Sequence, residues 1–193
     1  MRNALVVVGI GALVIIIGIY VIKIMNLSSS DNGPFMSSLS LTSPAFGNGA
    51  SMPSHFTCDG ANSSPALLIS GVPEGAKSLA LIMEDPDVPK VLRPDGVFDH
   101  WVLFNISPTT TEIPEGGTVG TEGKNGVGNN RYTGPCPPSQ YEPSEHRYLF
   151  RLYALDTELP LTEKASKADV LGAMEGHIIG QAELMGKYKK VVQ

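Results

Sequence analysis

Residues 147–155 read RYLFRLYAL, nine positions with aromatic or branched side chains on both parities. Successive side chains of a strand point to opposite faces, so a run apolar on both parities describes a strand covered on both sides. Ser78–Glu84 (SLALIME) and His100–Ile106 (HWVLFNI) have the same character. Ala66–Ser70 is a shorter candidate, bounded by Pro65 and Gly71. Long Gly- and Pro-rich connections separate these runs, and the chain holds 21 Gly and 15 Pro in all. No helical pattern alternates with the strands, which argues against a doubly wound α/β fold. The expected fold class is mainly β.

Toward the C-terminus one helix is expected. Ser166 followed by Asp169 is a capping-box start, Val170, Leu171 and Met174 supply an apolar stripe, and Gly176 ends it. Ile178, Gly180, Ala182, Leu184 and Tyr188 then share one parity, which predicts a final strand. Thr109–Arg131 reads as a long polar connection, a place where function often resides.

Toward the N-terminus, Ala4–Ile22 runs 19 positions without a charge. As a helix it spans roughly 28 Å, close to the apolar thickness of a bilayer. The expectation is a transmembrane helix or signal segment over residues 1–25, a flexible linker over 26–40 and one domain over 41–193. Either form of the N-terminal segment exports the domain: membrane-anchored and extracytoplasmic, or secreted after cleavage. Arg2 and Lys23 are two of the 14 basic residues, and no acid precedes Asp31, so 12 basic residues face 19 acidic ones beyond the apolar run. Such a balance excludes nucleic-acid binding driven by the phosphate backbone.

Four histidines are present, and two of them, His100 and His146, stand at the starts of strong strands. His146 and Tyr148 share a face, and Phe150 and Leu152 continue it into apolar core. Gly134-Pro135-Cys136-Pro137-Pro138 just before is a stiff segment, since each proline fixes φ. Its glycine suits close approach of a ligand. Asp85-Pro86-Asp87-Val88-Pro89 follows another buried run. Asp85 can accept an N–H from a histidine and fix its tautomer. Asp85-Pro86 and Val88-Pro89 are candidates for cis peptide bonds. The plainer alternatives are strand-end histidines satisfied by their neighbours, and aspartates serving turns beside proline. His55 and His177 read as structural or exposed, Trp101 as core, and Tyr132 as either pocket lining or loop packing.

The set TCDGANSSP (Thr57–Pro65), EDPDVP (Glu84–Pro89), DHW (Asp99–Trp101), GPCPP (Gly134–Pro138), HRYLFRLYALD (His146–Asp156) and MEGHIIGQAELMGKY (Met174–Tyr188) resembles the phosphatidylethanolamine-binding protein family. It is most similar to the bacterial and archaeal branch, often described as Raf-kinase-inhibitor-like. The resemblance implies a Greek-key β-sandwich with a few short peripheral helices. It implies a pocket for phosphate-like anions or phospholipid headgroups, formed by Asp85, Asp87, His100, Gly134, Pro137, His146 and Tyr148. Family members are described as headgroup binders, kinase modulators or protease inhibitors. Where the branch usually carries Asn-Asp before GPCPP, this chain reads Asn125-Gly126, one acidic contact fewer.

Cys58 and Cys136, both inside these motifs, are the two cysteines of the chain. In an oxidising compartment they form a disulfide candidate; two buried thiols, or a thiol exposed at the pocket, are the alternatives. The leading functional expectation is a non-catalytic binding protein for a small anion, without a cofactor or metal. The alternative is a protease or kinase inhibitor acting through the pocket rim. Catalysis ranks last: His100, His146 and Asp85 could form a metal site or supply a general base, but no activated nucleophile motif accompanies them.

Overall fold

The structure, a computed structural model, describes residues 38–191. The expected anchor or signal segment at 1–25 and nearly all of the expected linker at 26–40 lie outside the described residues. Among the described residues no helix is long and apolar enough to cross a membrane. The expected boundary at residue 41 falls inside an element: Leu39 is buried and Ser40 opens the first strand.

Among the described residues there are eight strands: β1 (Ser40–Thr42), β2 (Leu67–Ser70), β3 (Ser78–Asp85), β4 (Phe98–Ile106), β5 (Glu112–Ile113), β6 (Thr121–Glu122), β7 (Glu145–Leu155) and β8 (Ile178–Lys189). They form two sheets, ordered β1-β2-β5 and β6-β4-β3-β7-β8, with antiparallel pairing throughout. The expected peripheral helices amount, among the described residues, to one α-helix, α1 (Lys167–Met174), and one 3-10 turn (Ser54–Phe56). The polar connection from Thr109 to Arg131 contains β5 and β6, each two residues long.

The doubly apolar strands have their cause in two separate cores. Leu79, Leu81 and Met83 of β3, Trp101 and Leu103 of β4, and Tyr148, Phe150 and Leu152 of β7 meet Leu41, Leu67, Ile69 and Ile113 of the smaller sheet. On the opposite face Ala80, Ile82, Val102, Phe104 and Leu155 meet Val170 and Met174 of α1. Each fully buried large apolar side chain contributes about 1.5–3 kcal/mol, so β3 is held from both sides.

Helix α1 starts as its sequence predicts. Ser166 Oγ accepts from Asp169 N–H at 3.3 Å, and Asp169 Oδ2 accepts from Ser166 N–H at 2.9 Å. Of the expected stripe, Val170 and Met174 are buried while Leu171 is exposed. Lys167, from the same helix, reaches Glu84 at 3.0 Å and Asp99 at 2.5 Å on the larger sheet.

Strand β4 is irregular twice. Near its end Asn105 has φ +51°, and the pairing with β3 slips there, so Ile106 shares the face of Leu103. The Asn105 amide bonds both N–H and C=O of Leu159, at 2.8 and 2.9 Å, which anchors the bulge. The second slip, near the strand's start, shapes the site below. The cis peptide bond of the described residues precedes Pro143, not Pro86 or Pro89.

Candidate functional site

Three neighbouring strands bring their polar ends together. Asp85 closes β3, His146 is the second residue of β7, and His100 is the third of β4. Met83 pairs with Trp101 and Glu84 with Asp99, so His100 is an extra residue opposite them. Strict alternation would put His100 on the face of Val102 and Phe104. The bulge instead turns it toward the inter-sheet side, where its ring meets Tyr148 edge-on with centroids 5.2 Å apart.

Each imidazole is held at Nδ1. His100 Nδ1–H donates to the Thr133 carbonyl at 2.5 Å. A carbonyl can only accept, so this bond assigns the tautomer. Burial depresses the His100 pKa to about 4, against smaller support from the Thr133 bond, so the ring is neutral at neutral pH. His146 Nδ1 bonds Asp85 Oδ2 at 2.7 Å. Asp85 Oδ1 also accepts from Asp87 N–H at 2.8 Å. Burial raises the Asp85 pKa, and the hydrogen bond from His146 opposes that rise. His146 Nε2 and the Tyr148 hydroxyl are fully buried and have no hydrogen-bond partner among the described residues. Burial foremost, then the neighbouring Asp85 charge, raises the Tyr148 pKa.

Thr133–Pro138 forms the wall, and a second loop clamps it from behind. Gly134 N–H donates to Asn62 Oδ1 at 2.7 Å, Cys58 N–H to the Pro135 carbonyl at 3.0 Å, and the Tyr132 hydroxyl to the Phe56 carbonyl at 2.8 Å. A Cβ on Gly134 would stand 2.4 Å from the Phe56 carbonyl oxygen. The loop behind the wall therefore itself requires a glycine at this position. Cys58 and Cys136 are bonded, with Cα atoms 5.4 Å apart, and join the same two loops.

These elements enclose a cavity of about 200 Å³, lined by Asp85, His100, Gly134, Pro137 and His146 together with apolar side chains at its mouth. Two expected site residues fall outside the lining. Asp87 turns to Arg147, accepting its backbone N–H at 2.9 Å and its guanidinium at 2.9 and 2.6 Å, bonds that hold the Asp87 pKa low. Tyr148 is buried behind His100 rather than on the cavity surface. Among the described residues no group of three or more His, Cys, Asp or Glu is arranged to hold a metal ion. His55 and His177 sit apart, paired with Glu115 and Asp156 on the surface. Trp101 is core, and Tyr132 packs the loop.

Several contributors escape sequence reading. Thr133 acts through its backbone carbonyl, which its side-chain identity does not advertise. Asn62 belongs to one of three N-x-S triplets, uninformative as such, yet it caps Gly134 from a backbone with φ +56°. Phe98 precedes the expected start of its strand and stacks edge-on against His100, centroids 4.7 Å apart. Arg93 lies over the outer side of the Phe98 ring, 5.1 Å from its centroid. A Cβ at Gly126 would meet that ring at 2.9 Å, so the missing acidic residue leaves room that Phe98 occupies.

Comparison with known proteins agrees with this architecture. The model of the family described as phosphatidylethanolamine-binding protein matches residues 42–189. A UPF0098 protein of Chlamydia pneumoniae is 49% identical over 153 residues, covering 79% of this chain and 99% of the relative. One from Methanothermobacter thermautotrophicus is 48% identical over 159 residues, covering 79% and 99%. The crystal structure of a phosphatidylethanolamine-binding protein homologue, CT736 of Chlamydia trachomatis, superposes with a TM-score of 0.76 at 45% identity, covering 80% of this chain and 99% of that one. Escherichia coli YbcL, described as a member of the mammalian family, gives 0.71 at 31% identity, with the same coverage.

Proposed function

This chain belongs to the phosphatidylethanolamine-binding protein family, in its bacterial and archaeal range, and from that membership we propose that it is a non-catalytic binding protein for a small phosphate-like oxyanion or headgroup. The observation that carries this reading is the unpartnered Nε2 of His146, buried beside a cavity that His100 and Asp85 also line. A buried polar atom without a partner carries a penalty of about 1–3 kcal/mol, which a ligand oxygen relieves. About 200 Å³ is small beside drug-sized pockets and suits a phosphate group with little attached.

The lining supports binding over chemistry. Cys136 is tied to Cys58, and Thr133 Oγ1 accepts from the Asn125 amide at 2.9 Å, so neither is poised as a nucleophile. The disulfide together with the apolar run at Ala4–Ile22 supports an extracytoplasmic domain, membrane-anchored or secreted. Titration calorimetry with phosphoethanolamine tests the reading: His146→Ala abolishes or strongly weakens binding, and equal affinity in the two proteins refutes it.

A second reading is inhibition of a protease or kinase through the rim. Val91 and Leu92 favour it, being 76% and 49% exposed on the loop that borders the cavity. If it holds, inhibition across a protease and kinase panel falls on Leu92→Asp; absence of inhibition by the unaltered protein removes it.

A further inference from the structure

Resting on the reading of the cavity as an oxyanion or headgroup site, we propose that its mouth is a docking surface for an anionic lipid bilayer, so that the ligand is a headgroup presented by the membrane rather than a free phosphate. The surface consists of two loops, residues 88–98 and 124–131. Val88, Leu92 and Phe98 of the first line the cavity. The second lies against it: Arg93 Nη1 donates to the Gly126 carbonyl at 3.3 Å, and a Cβ on Gly126 would stand 2.9 Å from the Phe98 ring. From these loops Val91, Leu92 and Val127 project into solvent, 76%, 49% and 61% exposed. Single exposed apolar residues are ordinary on a soluble protein. Val91 and Val127, however, are the two most exposed large apolar side chains among the described residues, and they sit on touching loops beside one opening.

Charge singles out a membrane among the occupants of an apolar surface. Lys90, Arg93, Lys124 and Arg131 lie on these two loops with one acid, Asp95, although the chain as a whole carries 14 basic residues against 19 acidic ones. Asp95 engages Arg93 only loosely, at 4.0 Å. Lys and Arg beside exposed apolar side chains suit an anionic bilayer: the cations meet lipid phosphates while the apolar tips enter the interface. A second copy of the chain, docked on the same patch, would set these cations against one another.

The first loop is also built to enter an interface. Apolar lipid offers a bare backbone no hydrogen bonds, so the polar groups of an inserting tip need partners of their own. Val88 N–H donates to the Gly96 carbonyl at 3.2 Å and closes the loop at its base. The Pro89 carbonyl accepts from the Leu92 and Arg93 N–H groups at 2.8 and 3.1 Å, and Gly96 N–H donates to the Arg93 carbonyl at 2.9 Å. Val97 N–H donates to Asp95 Oδ1 at 3.2 Å, and Pro89 and Pro94 have no N–H to satisfy. Val91 therefore belongs to a closed turn that carries most of its own hydrogen bonds. With the run Ala4–Ile22 held in a bilayer, residues 23–37 would reach at most about 50 Å, which keeps the start of the domain near that surface.

The test labels the full chain at position 91. Cys58 and Cys136 are bonded to each other, so Val91→Cys supplies one free thiol for a fluorophore. Glu74→Cys is the control, an exposed position ahead of β3 and so at the end of that strand away from Asp85. Both labelled chains are reconstituted into phosphatidylcholine vesicles, with or without phosphatidylglycerol, that contain doxyl-labelled acyl chains as quencher. In the anionic vesicles quenching at position 91 should exceed that at position 74 by about fivefold or more, and should fall toward the control in phosphatidylcholine alone and at high salt. Adding Val127→Asp to the chain labelled at position 91 should lower it in the same way. Equal quenching at the two positions, or quenching at position 91 indifferent to phosphatidylglycerol and salt, overturns the anionic docking surface. Calorimetry with phosphoethanolamine separates this inference from the reading of the cavity: binding retained while position 91 stays unquenched leaves the cavity reading standing and removes this one, and absence of binding removes both. Inhibition of a protease or kinase that is lost in Val91→Asp, with position 91 unquenched by lipid, assigns the surface to a protein partner instead. Should Val127→Asp not fold, the comparison of positions 91 and 74 still decides.

Discussion

The Phe56 carbonyl oxygen lies where a Cβ of residue 134 would be, at 2.4 Å, so the cavity wall and the loop behind it touch backbone to backbone. Asn62 Oδ1 and Thr57 Cα crowd the same point, at 2.6 and 3.0 Å. Gly134→Ala must displace one loop. The expected outcome is a loss of about 1–3 kcal/mol in chemical denaturation, as for other overpacking changes, with weaker phosphoethanolamine binding. A variant with unaltered stability would show that the two loops separate freely.

Two aspartates two residues apart do different work. Asp85→Ala leaves the buried His146 Nδ1 without its hydrogen-bond partner and should lose about 1–3 kcal/mol of stability together with ligand binding. Asp87→Ala releases an Arg147 whose side chain is about half exposed, and should change stability by no more than about 1 kcal/mol and binding little. Urea titrations of both variants check the contrast; equal effects contradict the assignment.

Acid stability should carry the signature of His100. Its folded pKa, about 4, lies below the ordinary 6.5, so the folded state binds that proton less readily than the unfolded chain. The contribution is therefore complete above about pH 6.5 and is lost as pH falls through about 4. A difference of this size corresponds to about 3 kcal/mol. Asp85, with a raised pKa, acts in the opposite sense, contributing at low pH and less as pH rises. Subtracting the stability profile of His100→Asn from that of the unaltered protein, by denaturation between pH 4 and 7, isolates the His100 part. A flat difference across that window contradicts a neutral buried ring.

The disulfide closes a loop 78 residues long, between two cysteines at the surface. By the chain-entropy estimate, replacing both with serine should remove about 4 kcal/mol of stability. Thermal melts with and without reductant give the same information on the unaltered protein. Phosphoethanolamine affinity should fall in parallel, because the bond ties the wall to the loop that braces it.

The long strands and the helix were legible because their signals are local. RYLFRLYAL is apolar on both parities, and both faces of β7 are covered. The box at Ser166 and Asp169 needs four consecutive residues, and the helix starts there. Strands β5 and β6 were not legible, since two residues carry no period and exist as strands through their partners in β2 and β4. The aspartate at 87 shared a motif with Asp85, and motif membership does not say which carboxylate an arginine 60 residues away will occupy.

From the chain alone came a β-rich domain, its apolar strands, and the motif set that places two histidines, an aspartate and a proline segment at strand ends. The tertiary structure alone decided that His100 turns inward and which nitrogen it leaves free. Alternation belongs to one strand, whereas a bulge is defined by the register of two. Likewise a tautomer is chosen by the group across the bond, here a carbonyl 33 residues further along the chain.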